Sequence, residues 1–568
     1  MVEYKKRIAI HIACGLKLEV SLIEGLLEMP PTMDKGDFSL PCFKLAKNMG
    51  MSPIEVASTI AGNFLYPDDE VKAVALNAYV NFFIDRTVLT ASIVSSTIEN
   101  GDAFGSSNIH LGDCMCIDFS SVNIAKPFHI GHLSTTVIGN ALSRIYAFLG
   151  YKVVKINHLG DYGTQFGKLI VAYKKWGDEE SVKSAGIREL TRLYVRYHDE
   201  AENDTSLDDE ARTWFKRIED GDDEAVSLFD WFKELTLIEV GKVYELLGIT
   251  FDSYAGESFY SDMMPGIVDE LREKGLLKLD QGASIVDLSE YNMPPCLILK
   301  SDGASLYATR DLAAAVYRKR TYDFNKLLYV VAYQQELHFK QCFKVLELMG
   351  YDWAKDCCHV SYGMVSLTEG TLSTRKGNVA YLMDVLNASI NKARDIIEEK
   401  SPGLENKEDV AKQIGVGAVV WGPLYNNRIK DIVFSLDKAL NFEGETAPYV
   451  QYTHARCCSV LRKTGVSKEY FKDIDFSVCE DDCSYGLVHA ISAFKGEIFE
   501  AMKRNEPYLV ARALIGICQS FNRFYTEHKI VDDSRPIEQK ARLALVLATK
   551  TAIKNGLYLL GISAPEKM

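Results

Sequence analysis

Two imidazoles at a strand-to-helix junction constrain this chain more than any other feature. Cys114-Met115-Cys116-Ile117-Asp118-Phe119 reads as a short buried strand, and a loop leads from it to Phe128-His129-Ile130-Gly131-His132. Beyond that, Leu133, Val137, Ile138, Leu142, Ile145, Tyr146 and Leu149 recur at helical spacing and stop at Gly150. Pro127 suits the first turn of such a helix, where its missing N–H costs little. His129 and His132, three apart, share one helix face, and Gly131 leaves room for a flat group against the backbone. The unpaired N–H groups at a helix start attract phosphate, and imidazoles there donate to phosphoryl oxygens. Two histidines alone do not fill a zinc site.

A chain of 568 residues is too long for one core, so three or four domains are expected. Thirteen cysteines, an odd and scattered set without C-x-x-C, argue for reduced thiols and a cytoplasmic protein. Cys114-Met115-Cys116 and Cys479-x-x-x-Cys483 lack paired-zinc spacing, so no metal site is expected. No stretch is apolar enough to span a membrane, and the start of the chain reads as a domain-opening element rather than a signal peptide. The net charge of −14 is awkward for a partner of RNA, but it is uneven. From residue 441 onward, 17 lysines and arginines face 16 acids, whereas an acidic stretch runs from about 178 to 224. The C-terminal part is therefore the better place for a nucleic-acid face.

Strands and helices alternate from about residue 109, which implies a parallel, doubly wound α/β sheet. Its expected strands lie near 114–119, 152–157, 295–300, 326–331 and 358–362, with a mainly helical insertion from about 177 to 288. Before it, residues 1–108 form a small α/β unit with a helix around 52–64 and a strand from Val71 to Phe83. After it come a helical stem over 377–440 and an all-α region over 441–568.

The histidine stretch, running on from Ser120 and followed by Asn157-His158-Leu159-Gly160-Asp161-Tyr162-Gly163-Thr164-Gln165-Phe166-Gly167, resembles the HIGH signature region of class I aminoacyl-tRNA synthetases, specifically arginyl-tRNA synthetase. The resemblance covers essentially the whole chain. It implies a Rossmann-like, HUP-type catalytic domain over 109–376, an N-terminal domain that contacts tRNA, and a C-terminal anticodon-binding domain. It implies ATP with Mg²⁺, L-arginine and tRNA(Arg) as partners, no prosthetic group, a monomer, and a need for bound tRNA to activate arginine.

By that resemblance, His129, Gly131 and His132 bind ATP. The mobile loop that usually reads K-M-S-K-S is here Thr371-Leu372-Ser373-Thr374-Arg375-Lys376-Gly377-Asn378, with Ser373 at ATP. Threonines replace both lysines of the motif, a departure common in arginyl enzymes, where a lysine just upstream of HIGH takes over. Lys126 occupies that place, so Lys126, Arg375 and Lys376 are the expected cations on the phosphates. Tyr307 and Asp311, four apart on one helix face, can hold a planar cation, and Y-x-x-R-D matches the family's arginine-recognition helix. Gln335 matches the glutamine that joins them. Ser121 and Asn123 match binders of the amino-acid backbone, Asp118 the acidic partner of its α-amino group, and His129 a further contact. Ser134 replaces the arginine of G-H-L-R-S-T, which puts in doubt whatever that arginine tethers. Tyr449, Tyr452 and Arg456 match the stretch that opens the anticodon domain, and aromatics beside cations suit splayed bases.

The function this implies is an arginine–tRNA ligase. Three rivals remain at this level. A synthetase for another amino acid is opposed by Tyr307, Asp311 and Gln335. A catalytically impaired paralogue acting as a tRNA-binding scaffold is supported only by the altered loop and Ser134. A nucleotidylyl transferase acting on a small molecule leaves both terminal regions unexplained.

Overall fold

The computed structural model describes residues 1–30, 32–67, 70–301, 303–304, 306–367 and 380–568. The chain opens with helix α1 (Val2–Leu16) and a three-stranded antiparallel sheet of β1 (Phe38–Pro41), β2 (Val71–Leu76) and β3 (Tyr79–Ile84), with β3 central. The stretch expected as one strand from Val71 to Phe83 is a hairpin. Its alternation is broken at Asn77, which takes a left-handed φ of 52° and turns the chain back in two residues. Between β1 and β2, α2 (Pro53–Asn63) starts where expected. Ser52 Oγ accepts from Glu55 N–H, and Glu55 Oε2 accepts from Ser52 N–H. Helix α3 (Arg86–Asn100) then carries the chain to the parallel sheet.

That sheet begins with β4 (Cys114–Asp118), buried at every residue, and helix α4 (Leu133–Phe148) returns the chain to β5 (Lys152–Ile156) alongside it. Gly150 ends the crossover at φ 102°. The insertion follows α5 (Gln165–Trp176) and is built on helices 179–185, 187–201 and 206–219 and the long α6 (Asp223–Leu247). It is less helical than expected, because β6 (Leu277–Asp280) and β7 (Ala283–Val286) lie within its expected span. These pair antiparallel with β8 (Cys296–Leu299) in a sheet of their own. β8 was expected in the parallel sheet. Its burial alternates, with Cys296 and Ile298 buried and Leu297 exposed, the pattern of a strand covered on one face.

After α7 (Tyr307–Tyr322), β9 (Lys326–Tyr329) enters the parallel sheet against the other side of β4. Helix α8 (Glu336–Leu348) leads to β10 (Cys357–His359), giving the order β10-β9-β4-β5 with all pairs parallel. Winding thus reverses between β4 and β9, and a ligand crevice is expected at their carboxyl ends. The region expected as a helical stem holds α9 (Leu382–Lys400) and α10 (Lys407–Tyr425), but β11 (Val365–Leu367) also pairs there with β12 (Ile432–Phe434). Helices α11 (Ala447–Thr464), α12 (Asp482–Arg504), α13 (Tyr508–Glu527) and α14 (Pro536–Leu559) complete the chain. The first unit packs back on them: Tyr485 of α12 donates to Asp37 Oδ1 at 2.5 Å, beneath the Arg86 guanidinium.

α4 lies unusually close to the end of β4. A Cβ at Gly139 would overlap the Phe119 side chain. Gly139→Ala is therefore expected to destabilise the protein by roughly 1–3 kcal/mol, the scale of an overpacked core. Chemical unfolding checks this, and a variant as stable as the parent would show that the contact yields freely.

Candidate active site

The loop from β4 to α4 is held in an uncommon conformation. Ser120, Ser121 and Ala125 have φ of 70°, 46° and 60°, a left-handed backbone that non-glycine residues avoid. Buried hydroxyls fix it. Ser120 N–H donates to Thr135 Oγ1 at 3.0 Å, and Ser120 Oγ meets Tyr244 OH at 2.7 Å. Ala125 N–H donates to Thr236 Oγ1 at 3.0 Å. Tyr244 and Thr236 belong to α6, so the insertion clamps the loop that carries the histidines.

The helical turn starts later than Pro127. It opens as a 3-10 turn at Ile130, and α4 begins at Leu133, with His129 as the capping residue. Pro127 is outside the helix because the cap is made by the side chain of His129, four residues before the start of α4. Gly131 N–H donates to His129 Nδ1 at 3.0 Å, and His129 N–H donates to His132 Nδ1 at 3.2 Å. Each Nδ1 is thus an acceptor and each ring carries its proton on Nε2. The ring centres are 4.1 Å apart. The space that Gly131 leaves is filled here by the His129 ring, which a Cβ would meet at 2.7 Å. Burial lowers the His129 pKa, and burial together with its neighbour lowers that of His132 to about 3. Both rings are neutral N–H donors at neutral pH, which fits an anionic phosphate chain.

Ser373, Arg375 and Lys376 lie outside the described residues, as do all the residues from 368 to 379. The chain on the far side of that segment is anchored at the histidine turn: Ile130 N–H donates to Ala380 O at 3.0 Å and Leu382 N–H to Phe128 O at 2.9 Å. Ser134 is buried and its Oγ donates to Gly363 O at 3.4 Å, so this position packs against the chain before β11. Lys126 is exposed, on the loop just before the histidines.

A second group of expected residues meets in a cavity of 420 Å³ at the β4/β9 edge. Asp118, Ser121 and Asn123 come to it from β4 and the loop after it, and Tyr307, Asp311 and Gln335 from α7 and the turn before α8. His129 and His132 are not among its lining residues; the β4–α4 loop joins the two halves. Asp118 is committed to the frame. Its Oδ2 takes the fully buried Arg318 at 2.7 Å, and its Oδ1 accepts from Ser121 Oγ at 2.9 Å. Asp311 Oδ2 lies 2.6 Å from His338 Nε2. Burial raises the Asp311 carboxyl, but the His338 hydrogen bond and nearby cationic groups outweigh it and hold the pKa below the usual value.

Sequence reading left several lining residues unassigned. His158 and His338 stood inside quoted stretches but carried no role. Glu257, from the insertion, gave no signal at all. It pairs with Arg310 at 3.0 Å, and burial pushes its pKa up to about 7 despite that partner.

Far along the chain, Tyr449, Tyr452 and Arg456 do come together. The Arg456 guanidinium stands 4.8 Å from the Tyr452 ring centre and 5.1 Å from that of Tyr525. Asn522 bridges, accepting from Arg456 Nη1 at 2.8 Å and donating to Tyr449 OH at 2.9 Å. All three border a cavity of 520 Å³ that also reaches Met568.

Three family models match the chain: "tRNA synthetases class I (R), catalytic domain" over residues 96–436, "DALR anticodon binding domain" over 450–568, and "Arginyl tRNA synthetase N terminal domain" over 3–84. An arginine–tRNA ligase of Clostridioides difficile is 54% identical over 546 residues, 96% of each chain. Another, of Halothermothrix orenii, is 51% identical over 574 residues and the whole of both. Among solved structures, the Thermus thermophilus arginyl-tRNA synthetase has the same fold, with a TM-score of 0.83 over 99% of this chain and 100% of that one at 23% identity.

The histidine geometry predicts an NMR result. Because the unfolded ring titrates near 6.5 and folded His132 near 3, the unfolded chain binds the extra proton between those values, and stability rises with pH across that window. The His132 ring should keep neutral-imidazole shifts down to about pH 5 in labelled protein. A midpoint near 6.5 would sink the buried-acceptor assignment.

Proposed function

The chain belongs to the class I arginyl-tRNA synthetases, and on that premise we propose that it activates L-arginine with ATP and transfers the arginyl group to the 3′-terminal ribose of tRNA(Arg). The carrying observation is the cavity at the β4/β9 edge, which brings Tyr307 and the ionised Asp311 of α7 together with Ser121 and Asn123 of the β4–α4 loop. A guanidinium against Asp311 and Tyr307 leaves the amino-acid backbone facing the loop. Asn123 and Ser121 hold its polar ends, Gln335 closes the mouth, and Asp118 supplies negative charge toward the α-ammonium from below.

In the first step the arginine carboxylate oxygen bonds to the α-phosphorus of ATP and the bond to diphosphate breaks. The protein contributes alignment and charge stabilisation rather than covalent chemistry. His129 and His132 present Nε2–H donors to phosphoryl oxygens, with the Gly131 backbone beside them; a contact of His129 with the amino acid rests on the family resemblance alone. Lys126, Arg375 and Lys376 are the cations that draw negative charge off the leaving diphosphate, and Ser373 assists at ATP. Mg²⁺, bound with ATP, neutralises phosphate charge. In the second step a hydroxyl of the terminal ribose takes the arginyl carbonyl and AMP leaves.

The division of labour follows the chain: residues 1–108 contact tRNA, 109–376 catalyse with their insertion at about 177–288, 377–440 form the stem, and 441–568 read the anticodon. Arg456, flanked by Tyr452 and Tyr525 and tied to Tyr449 through Asn522, is a stacking platform suited to a base. We place the enzyme in the cytoplasm as a monomer. All 13 cysteines are free, and no helix among the described residues is long and apolar enough to cross a membrane.

Purified protein with Mg²⁺, ATP, arginine and tRNA(Arg) should form arginyl-tRNA, and no other amino acid of a full panel should be charged. Asp311→Ala should lower kcat/KM for arginine at least tenfold, on the scale of about 1.5–3 kcal/mol for a charge-assisted hydrogen bond. Unchanged arginine kinetics would refute the role of that carboxylate. Lys126→Ala should strongly slow adenylate formation with little change in arginine KM. Near-normal adenylate formation would show that Lys126 does not replace the missing lysine.

A further inference from the structure

Behind the arginine cavity, α7 and α8 place three different metal-type donors together. Asp311 is on α7; His338 and Cys342 are one turn apart on α8. His338 Nε2 is 2.6 Å from Asp311 Oδ2 and 3.7 Å from Cys342 Sγ, and the three donor atoms lie within 4.8 Å of one another. Among the described residues this is the only group of three such side chains drawn together. Asp311 and His338 line the cavity, while Cys342 is buried behind them.

We propose that Asp311, His338 and Cys342 form a site for a thiophilic divalent cation of the zinc class, and that a cation there excludes arginine. Oxygen, nitrogen and sulfur donors on three side chains, with one open position, are a set that zinc accepts. Tetrahedral bonds of about 2.0–2.3 Å set neighbouring ligand atoms roughly 3.3–3.6 Å apart. The His338–Cys342 separation of 3.7 Å already approaches that spacing, and the Asp311–His338 pair at 2.6 Å opens by less than an ångström. On binding, three ligand–metal bonds form, the thiol proton leaves to solvent, and the imidazole keeps its remaining proton on Nδ1. The open position faces the cavity and takes water. Exclusion rests on the reading of this cavity as the arginine site: Asp311 cannot serve a metal and a guanidinium at once.

Two measurements test this on the full-length protein. The first is Co²⁺ titration in the absence of substrates, read by the thiolate-to-cobalt charge-transfer band. One equivalent should produce the band in the wild type and none in Cys342→Ser. The second is arginylation with added Zn²⁺, which should raise the arginine KM of the wild type. Cys342→Ser should remain active in metal-free buffer, with sensitivity to Zn²⁺ roughly tenfold lower or more. Cys342→Ala serves if the serine variant misfolds. No cobalt band in folded wild type, or a band that persists without Cys342, overturns the site. A band that forms but does not fade as arginine is added overturns the exclusion and the guanidinium placement, while the metal site stands. Loss of arginylation by Asp311→Ala while the folded wild type gives no cobalt band does the reverse.

Discussion

The buried ion pair between Arg318 and Asp118 is the interaction on which the site depends. Both side chains are almost wholly removed from water, and they meet at 2.7 Å at the carboxyl end of the central strand. The rings of Tyr329 and Tyr260 flank the guanidinium, and its Nη2 also lies 3.3 Å from His158 Nδ1. Removing one partner of such a pair leaves an uncompensated charge and costs about 3–5 kcal/mol, whereas its net value over an apolar pair is small. Its contribution is therefore placement. Arg318 follows Tyr307 and Asp311 by 11 and 7 residues, close to three and two helical turns, so all three share a face of α7. Pinning Arg318 to β4 aims Tyr307 and Asp311 over the edge where winding reverses.

The loop beyond Asp118 continues the same constraint. Its left-handed residues are strained, and strain persists only where surrounding contacts outweigh it. Those contacts come from α4 on one side and α6 of the insertion on the other. Asp161, fully buried, ties the same insertion to the sheet through Lys233 and the Ser258 N–H and hydroxyl. The insertion thus sets the geometry of a cavity whose other lining side chains lie outside it, and Glu257 is its direct contribution to the lining.

Local spacing made much of this legible. All four strands of the parallel sheet lie near where the pattern put them, and β4 and β9, the two buried almost throughout, were the plainest apolar runs. Tyr307 and Asp311 are four apart on one helix, so their shared face was visible before any fold was known. What failed was long-range. The partner of Asp118 lies 200 residues away, and that of Arg310 is Glu257, in the insertion; no periodicity links such pairs. The other errors were of context. A four-residue apolar run fits a one-faced antiparallel strand as well as a buried parallel one, which is why β8 was misplaced. A proline fits the loop before a cap as well as the first turn, which is why the helix start was set too early.

The charge of the chain resolves in the same way. Part of the acid in the insertion is met by cations, some from α5 just before it and some its own. Lys174 and Arg217 both meet Glu224, and Arg217 also meets Asp222. Lys175 pairs with Glu210 and Lys168 with Asp208. Such surface pairs add little stability, but they cancel field locally. At physiological salt, exposed charges are screened beyond roughly 8 Å, so net charge elsewhere in the chain has little reach. What a polyanion meets is the local arrangement. At Arg456 that arrangement is a guanidinium beside the Tyr452 and Tyr525 rings that donates to Asn522 Oδ1 and the Tyr452 hydroxyl. On the proposed reading of Arg456, an acidic chain recognises nucleic acid through cations placed beside stacking rings rather than through a basic surface.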